Sequence, residues 1–389
     1  MSLNRTSSSK SSSRRSEVAI GRLAPTNADR ALATDLLVDI SDHQCPLVFH
    51  EIYDVKMFGI EKCHPFDAGK WGRVYAKLKG RLCLKVRISL RTYPLFPEWQ
   101  LVSDDTIVRP MEATKSDLLI AHTKLYLNSL YSPCILAKVV EVPIACIIPT
   151  CITDKYFLKR MRQVLFPTQH FYPHYWYQCG GTVAACRLAL DRGWAVHLGG
   201  GFHHAYRSFG GGFCVYADIS LALKILFALK LINKAIIVDL DAHQGNGHER
   251  DFGNDQRVYI LDIYNPRIYP WDHKAQEGIT RSVHVGSMTS DAEYLKLVKH
   301  NLSVALSNFH CNLVIFNAGT DSLENDPLGG LCLNPECIIR RDELVFRLCR
   351  QNSTPIAMLT SGGYLMKSAD VIARSIRNLH EKELIELKA

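Results

Sequence analysis

Along this chain five short apolar runs, at 194–198, 235–240, 258–261, 313–316 and 356–359, are bounded mostly by Gly, Asn or Asp. Runs so short, rich in β-branched and aliphatic residues and ending on turn formers, read as buried strands. Between them lie longer stretches, such as 220–231 and 291–309, in which apolar residues recur at three- and four-residue steps, the pattern of a helix with one buried face. Thr114 and Asp117 form a capping-box pattern that opens another helical segment, 117–130. The most apolar stretch, 134–149, is broken by Lys138 and Glu141 and reads as buried strand. Strand and helix alternating in this way predict an α/β fold, a single large domain with a mostly parallel sheet flanked by helices. In such sheets reactive groups gather at the carboxyl edge, where strands run out into loops. Polar residues with metal or acid–base chemistry do follow directly after four of the five runs.

The ends and the composition narrow the picture. The 389 residues suit one large α/β domain, and neither a repeat nor a second compositional regime divides them. Residues 1–16 are half serine and nearly free of large apolar groups, so ordering them would cost more entropy than burial returns. The tail, residues 1–30, is expected to be disordered, with the domain spanning 36–385. No apolar run approaches the roughly 18–20 residues of a membrane span. Thirteen cysteines without a CxxC pair or a secretory leader point to thiols, not to a disulfide framework or a Cys-based zinc site. Of the net charge of +8, four units come from Arg5, Lys10, Arg14 and Arg15 in the tail. The remainder is too mildly basic for a nucleic-acid groove.

The chemistry concentrates in four places. In Ile236 to Gly247 an apolar run passes into Asp239, Asp241 and His243 at alternating positions, which strand geometry would aim to one side. Two carboxylates and an imidazole converging out of water call for a cation. Asp321, just past the run at 313–316, offers a third ligand. With Asp241 and His243 it would make a mixed oxygen and nitrogen set that leaves a position open, as catalytic zinc requires. His203 and His204, adjacent and flanked by the glycine triplets 199–201 and 210–212, offer a base for water and an acid for a leaving amine. Tyr364, on the glycine turn after the last run, can aim a hydroxyl at a developing oxyanion. Each element alone has an ordinary structural explanation: a capped turn, a loop aspartate, structural histidines, a packed aromatic. Their combination points to a metal-assisted hydrolase.

DLDAHQGNG, GGGFHHA with GGGFC, NAGTD with DPLGG, and TSGGY stand here in the order and approximate spacing of zinc-dependent histone deacetylases. Together with HPFDAGKWGRV and RRDELVFR the chain most resembles class IV of that family, over residues 36 to 385. The resemblance implies an arginase/deacetylase-like architecture and one zinc ion per chain on Asp241, His243 and Asp321, and it allows a structural monovalent cation. It also implies a catalytic histidine pair in His203 and His204, a catalytic Tyr364, Asp239 orienting His203, and Gly212 and Phe213 lining an acyl-lysine tunnel. Asn246 stands where class I places an aspartate partner for the second histidine, and a neutral amide should leave His204 with a lower proton affinity.

The function so implied is hydrolysis of N-acyl-lysine on histones and other proteins, with acetyl or long fatty acyl groups as substrates. Corepressors are among the partners it allows, and nucleus and cytoplasm are the compartments expected. Rival readings are a non-catalytic acyl-lysine-binding scaffold and a ureohydrolase-like dimanganese enzyme. The latter needs a second Asp where this chain has Gly245. The aromatic segment 165–178 departs from the family pattern and reads as an inserted surface loop or as a flap offering Tyr and Trp to a partner or an acyl chain.

Overall fold

The computed structural model describes residues 24–54, 67, 69–80, 99–141 and 173–389. Among the described residues seven strands, β1 (Leu47–Val48), β2 (Trp194–His197), β3 (Ala235–Asp239), β4 (Val258–Tyr264), β5 (Arg281–His284), β6 (Leu313–Asn317) and β7 (Ile356–Leu359), form one sheet. Their order is β1-β2-β7-β6-β3-β4-β5, and every pairing is parallel. The five strands predicted from apolar runs are its interior. The two additional strands are its edges, one only two residues long and the other largely exposed.

Successive side chains of a strand enter opposite layers. Ile236 and Val238, Val314 and Phe316, Ile356 and Met358 pack into one apolar cluster, while Ile237, Ile315, Ala357 and Leu359 pack into another. Helices Lys70–Lys79, Asp291–Asn308, Pro335–Gln351 and Ser368–Glu381 cover the first layer, and Pro173–Arg192 and Asp218–Ala228 the second. With both faces covered, a strand has no polar side to show, which is why these runs read as continuous apolar stretches. No helix among the described residues is long and apolar enough to cross a membrane.

Four local expectations change. The stretch 134–149 begins as the helix Pro133–Val139, with proline in its first turn, where a missing N–H leaves no bond unmade; residues 142–149 lie outside the described residues. The segment 117–130 divides into helices Lys115–Ala121 and Lys124–Ser129. His122 between them is extended and accepts a hydrogen bond from Ala217 N–H at 2.9 Å, while Thr123 caps the second helix. The tail is ordered before residue 30, because Thr26 and Asp29 cap one another and start the helix Asn27–Leu32, whose Ala31 is buried; residues 1–23 lie outside the described residues. In the aromatic segment, residues 173–178 are not loop but the opening turns of the helix Pro173–Arg192, and residues 165–172 lie outside the described residues.

The carboxyl ends of four strands stand level, and β4 runs two residues further. Asp239 of β3 aligns with Asn317 of β6 and Asp262 of β4, Asn317 with Leu359 of β7, and Leu359 with His197 of β2. Five loops therefore leave the sheet along one edge and meet.

Candidate active site

β3 ends at Asp239, and the chain turns at once. The carboxylates of Asp239 and Asp241 accept from the N–H groups of Asp241 and His243, both at 3.1 Å. Side-chain turns of this kind, not strand alternation, bring Asp241 and His243 round to Asp321. Asp239 stays behind with a different set of partners. His243 Nδ1 lies 3.1 Å from Asp241 Oδ1 and 2.7 Å from Asp321 Oδ2. The outer oxygens are held as well: Asp321 Oδ1 accepts from Ala242 N–H at 2.9 Å, and Asp241 Oδ2 from Ser361 Oγ–H and Gly362 N–H at 3.1 Å. A Cβ on Gly362 would stand 2.4 Å from Asp241 Oδ2, so this turn approaches the carboxylate only as glycine.

Asp241, His243 and Asp321 are all buried, and their ligand atoms lie within 4.8 Å of one another. Two carboxylates beside one imidazole leave surplus negative charge out of water. Burial and the charge of Asp241 push the Asp321 carboxyl up from the usual range. Against the effect of burial, the two carboxylates raise His243 too. The trio by itself thus retains protons that a divalent cation would displace, and its two oxygen ligands and one nitrogen ligand are a donor set that catalytic zinc accepts. The residues fit the ion.

His203 and His204 follow β2 on a loop pinned by Asp218, whose carboxylate accepts from Gly201 and Phe202 N–H groups at 2.8 Å. The two rings lie 4.1 Å apart between centroids. His203 Nδ1 meets Asp239 Oδ2 at 2.9 Å, and its Nε2 stands 3.6 Å from Asp241 Oδ1. Burial opposes its charge, but Asp239 and Asp241 prevail and raise it to about 9. His204 goes the other way, held well below its ordinary value by burial and by the charges of His203 and His243. Adjacent imidazoles driven apart in this manner can act as one cation and one base at neutral pH. Asn246 sets the tautomer of the base. Its Oδ1 meets His204 Nδ1 at 2.8 Å, and its Nδ2 donates to Asp272 Oδ2 at 3.1 Å. A carboxylate only accepts, so the amide nitrogen faces Asp272, the amide oxygen faces His204, and His204 Nε2 keeps the lone pair.

Tyr364 follows the glycine turn after β7, its N–H donating to Asp326 Oδ2 at 2.9 Å. Its ring packs edge-on to Phe213 at 5.9 Å and to His243 at 6.2 Å. Burial, with the charges of Asp241 and Asp321, holds the hydroxyl proton far above its usual range, so the group remains a donor. Gly212, Phe213, His203, His204, Asp241 and Tyr364 line one cavity together with Trp71, Tyr175 and Phe202. Every site residue expected from the sequence lies on this edge of the sheet. Asp239 and Asn246 meet the Nδ1 atoms of His203 and His204 and, like His243 and Asp321, are not among the residues lining the cavity.

Residues not assigned a role from the sequence complete the site. Lys70, buried in the helix Lys70–Lys79, donates from Nζ to Ser361 O at 2.6 Å and Gly362 O at 2.9 Å, holding the turn that carries Tyr364. Burial lowers its amine to about 8, opposed by the surrounding carboxylates of Asp67, Asp241, Asp321 and Asp326. Arg341, fully buried, donates from Nη1 to Gly319 O at 2.6 Å and Leu240 O at 3.2 Å, tying together the two loops that bear Asp321 and Asp241. Both lie in motifs that carried only resemblance, HPFDAGKWGRV and RRDELVFR. Tyr269 stacks edge-on against His204 at 4.9 Å. Tyr175, at the end of the aromatic segment, donates its hydroxyl to Phe213 O at 3.1 Å, so that part of the segment braces the cavity wall.

Comparison with known proteins adds an independent line. The family model described as histone deacetylase domain matches residues 64–379. Histone deacetylase 2 of Arabidopsis thaliana is 44% identical over 360 residues, 92% of this chain and 85% of that protein. The acetoin utilization protein AcuC of Bacillus subtilis is 26% identical over 251 residues, 61% of each chain. Among solved structures, the HDA15 HD domain superposes with a TM-score of 0.58 at 20% identity, covering 87% of this chain and 90% of that one, a likeness of fold.

Proposed function

This chain belongs to the histone deacetylase family, and on that premise we propose that it hydrolyses N-acyl-lysine amides of proteins, histones among them, as a zinc-dependent enzyme of class IV. The observation that carries the reading is that Asp241, which lines one cavity with His203, His204 and Tyr364, also groups with His243 and Asp321, the six residues coming from four separate strand ends. Asn246 beside His204 supports the class. The same set of groups weighs against a scaffold that only binds acyl-lysine. Gly245 weighs against a two-metal ureohydrolase, since it has no side chain to ligate and its N–H is engaged by Asp262 Oδ2 at 2.9 Å.

Zinc on Asp241, His243 and Asp321 would supply Lewis acidity that polarises the amide carbonyl and acidifies water. His204 Nε2, the available lone pair, takes the proton of the attacking water as the new C–O bond forms. Tyr364 donates its hydroxyl hydrogen bond to the carbonyl oxygen as that oxygen gains charge. As the C–N bond breaks, His204 returns its proton to the lysine nitrogen, leaving a carboxylate and a free amine. His203, oriented by Asp239 at 2.9 Å, lines the same cavity and offers its Nε2 to the reacting groups.

Trp71, Tyr175 and Phe202 give the cavity an apolar part of its wall, where an acyl group, acetyl or longer, would lie. Acyl-lysine peptides of graded chain length, assayed with and without a zinc chelator, test the proposal. The expected outcome is turnover that survives or improves as the chain lengthens and that the chelator abolishes. Turnover indifferent to the chelator, or none with any acyl group, would retire it.

Asn246→Asp should move the acidic limb of the kcat/KM profile to higher pH. A carboxylate 2.8 Å from His204 Nδ1 would stabilise the charged ring and raise its pKa. His204 must be unprotonated to act as base, so activity would appear only at higher pH. Asp272 next to the new carboxylate limits the size of the shift, not its sign. An unchanged profile removes this role for His204.

A further inference from the structure

We propose that His248 is a positioning residue of the deacylation centre: it donates from Nε2 to the same Asp239 oxygen that receives His203, and so fixes the carboxylate that orients His203. The inference rests on the proposed hydrolase reading for its kinetic consequence. The geometry behind it stands separately.

Asp239 is fully buried and accepts four hydrogen bonds. Oδ1 receives Asn317 Nδ2 at 2.9 Å and Asp241 N–H at 3.1 Å. Oδ2 receives His203 Nδ1 at 2.9 Å and His248 Nε2 at 2.8 Å. The first two bonds tie Asp239 to the strand ends, but Oδ2 has only imidazoles to hold it. His203 is the ring to be oriented and sits on the loop after β2, outside any helix or strand. The independent anchor is His248, planted in the helix Asn246–Phe252.

The remaining atoms of His248 agree. Its Nδ1 is buried with no hydrogen-bond partner among the described residues. A proton there would be an unpaired buried donor, whereas a proton on Nε2 meets a carboxylate, so the ring directs its one donor to Asp239. The surrounding chain is shaped to this bond. A Cβ on Gly245 would stand 2.1 Å from His248 Nε2 and 2.5 Å from Asp239 Oδ2, so the loop leading from His243 passes over the contact only as glycine. One turn of helix thereby serves both catalytic histidines, with Asn246 bonded to His204 directly and His248 reaching His203 through Asp239. His203, Asp239 and His248 also have the spacing of a metal group, but hydrogen bonds already account for their contacts.

The test compares His248→Leu and His248→Gln in the full-length protein. Leucine keeps the bulk and removes the donor; glutamine returns an N–H near the position of Nε2. Leucine is expected to lower kcat about 10–100-fold, the usual effect of losing such an outer hydrogen bond, with KM and zinc content unchanged. Glutamine is expected to restore most of the loss. An unchanged kcat in the leucine variant, an equal loss in both variants, or a second bound metal that vanishes with His248 would each overturn the proposal. Should the leucine variant not fold, the native protein with 15N-labelled histidine decides by NMR. A slowly exchanging proton on His248 Nε2, shifted downfield by a carboxylate, is expected, and a proton on Nδ1 overturns the assignment. If the native protein shows that resonance but hydrolyses no acyl-lysine, it is the hydrolase reading that fails.

Discussion

Tyr364→Phe lowers kcat by about 10²–10³, the cost of removing one donor to an oxyanion, roughly 2.7–4 kcal/mol. The change deletes a single oxygen and leaves the ring to pack against Phe213 and His243. It does not touch the N–H bond to Asp326 or the Lys70 bonds that hold the preceding turn. KM for a short acyl-lysine peptide and the zinc content should therefore stay as in the native protein. Steady-state kinetics on one peptide, with metal analysis of the same sample, separate the alternatives. A rise in KM at constant kcat would make Tyr364 a substrate-binding group and remove it from the chemical step.

The parts legible in the sequence were those written in local pattern. Interior parallel strands are buried on both faces, so runs such as 235–240 announce themselves. Their carboxyl ends then locate Asp239, Asp241, Asp321 and Tyr364. β1 escaped because two residues, Leu47 and Val48, make no pattern, and β5 because an exposed edge needs no apolar face. The helix Pro133–Val139 was misread for its composition, although Ser132-Pro133 is a helix-start signal. Strand alternation also explained too much: it placed Asp239, Asp241 and His243 in one group, whereas the strand ends at Asp239 and side-chain turns divide them. The supporting cast was not legible, since Lys70 acts on Ser361 and Gly362, Arg341 on Leu240 and Gly319, and His248 through Asp239 on His203. Contacts so far apart along the chain leave no spacing to read, and a buried Lys or Arg looks like any other charge until its partners are in view.

Asp241→Ala carries the other large expected effect. It removes a proposed metal ligand and also the acceptor of Ser361 Oγ–H, Gly362 N–H and His243 N–H. Each buried donor left unpaired costs about 1–3 kcal/mol, so the variant should melt earlier even where it folds. Asp241→Asn, which keeps an acceptor oxygen but loses the charge, should retain more stability and still bind the ion poorly. These two variants separate loss of metal from loss of fold.

The central claim is that Asp241, His243 and Asp321, from two strand-to-loop junctions, hold one divalent ion on which amide hydrolysis depends. Metal content and acyl-lysine turnover, measured together on the native protein and on Asp241→Ala, test it most directly. The predicted result is about one zinc per native chain with turnover, and neither metal nor turnover in the folded variant. A variant that kept both its metal and its activity would contradict the claim.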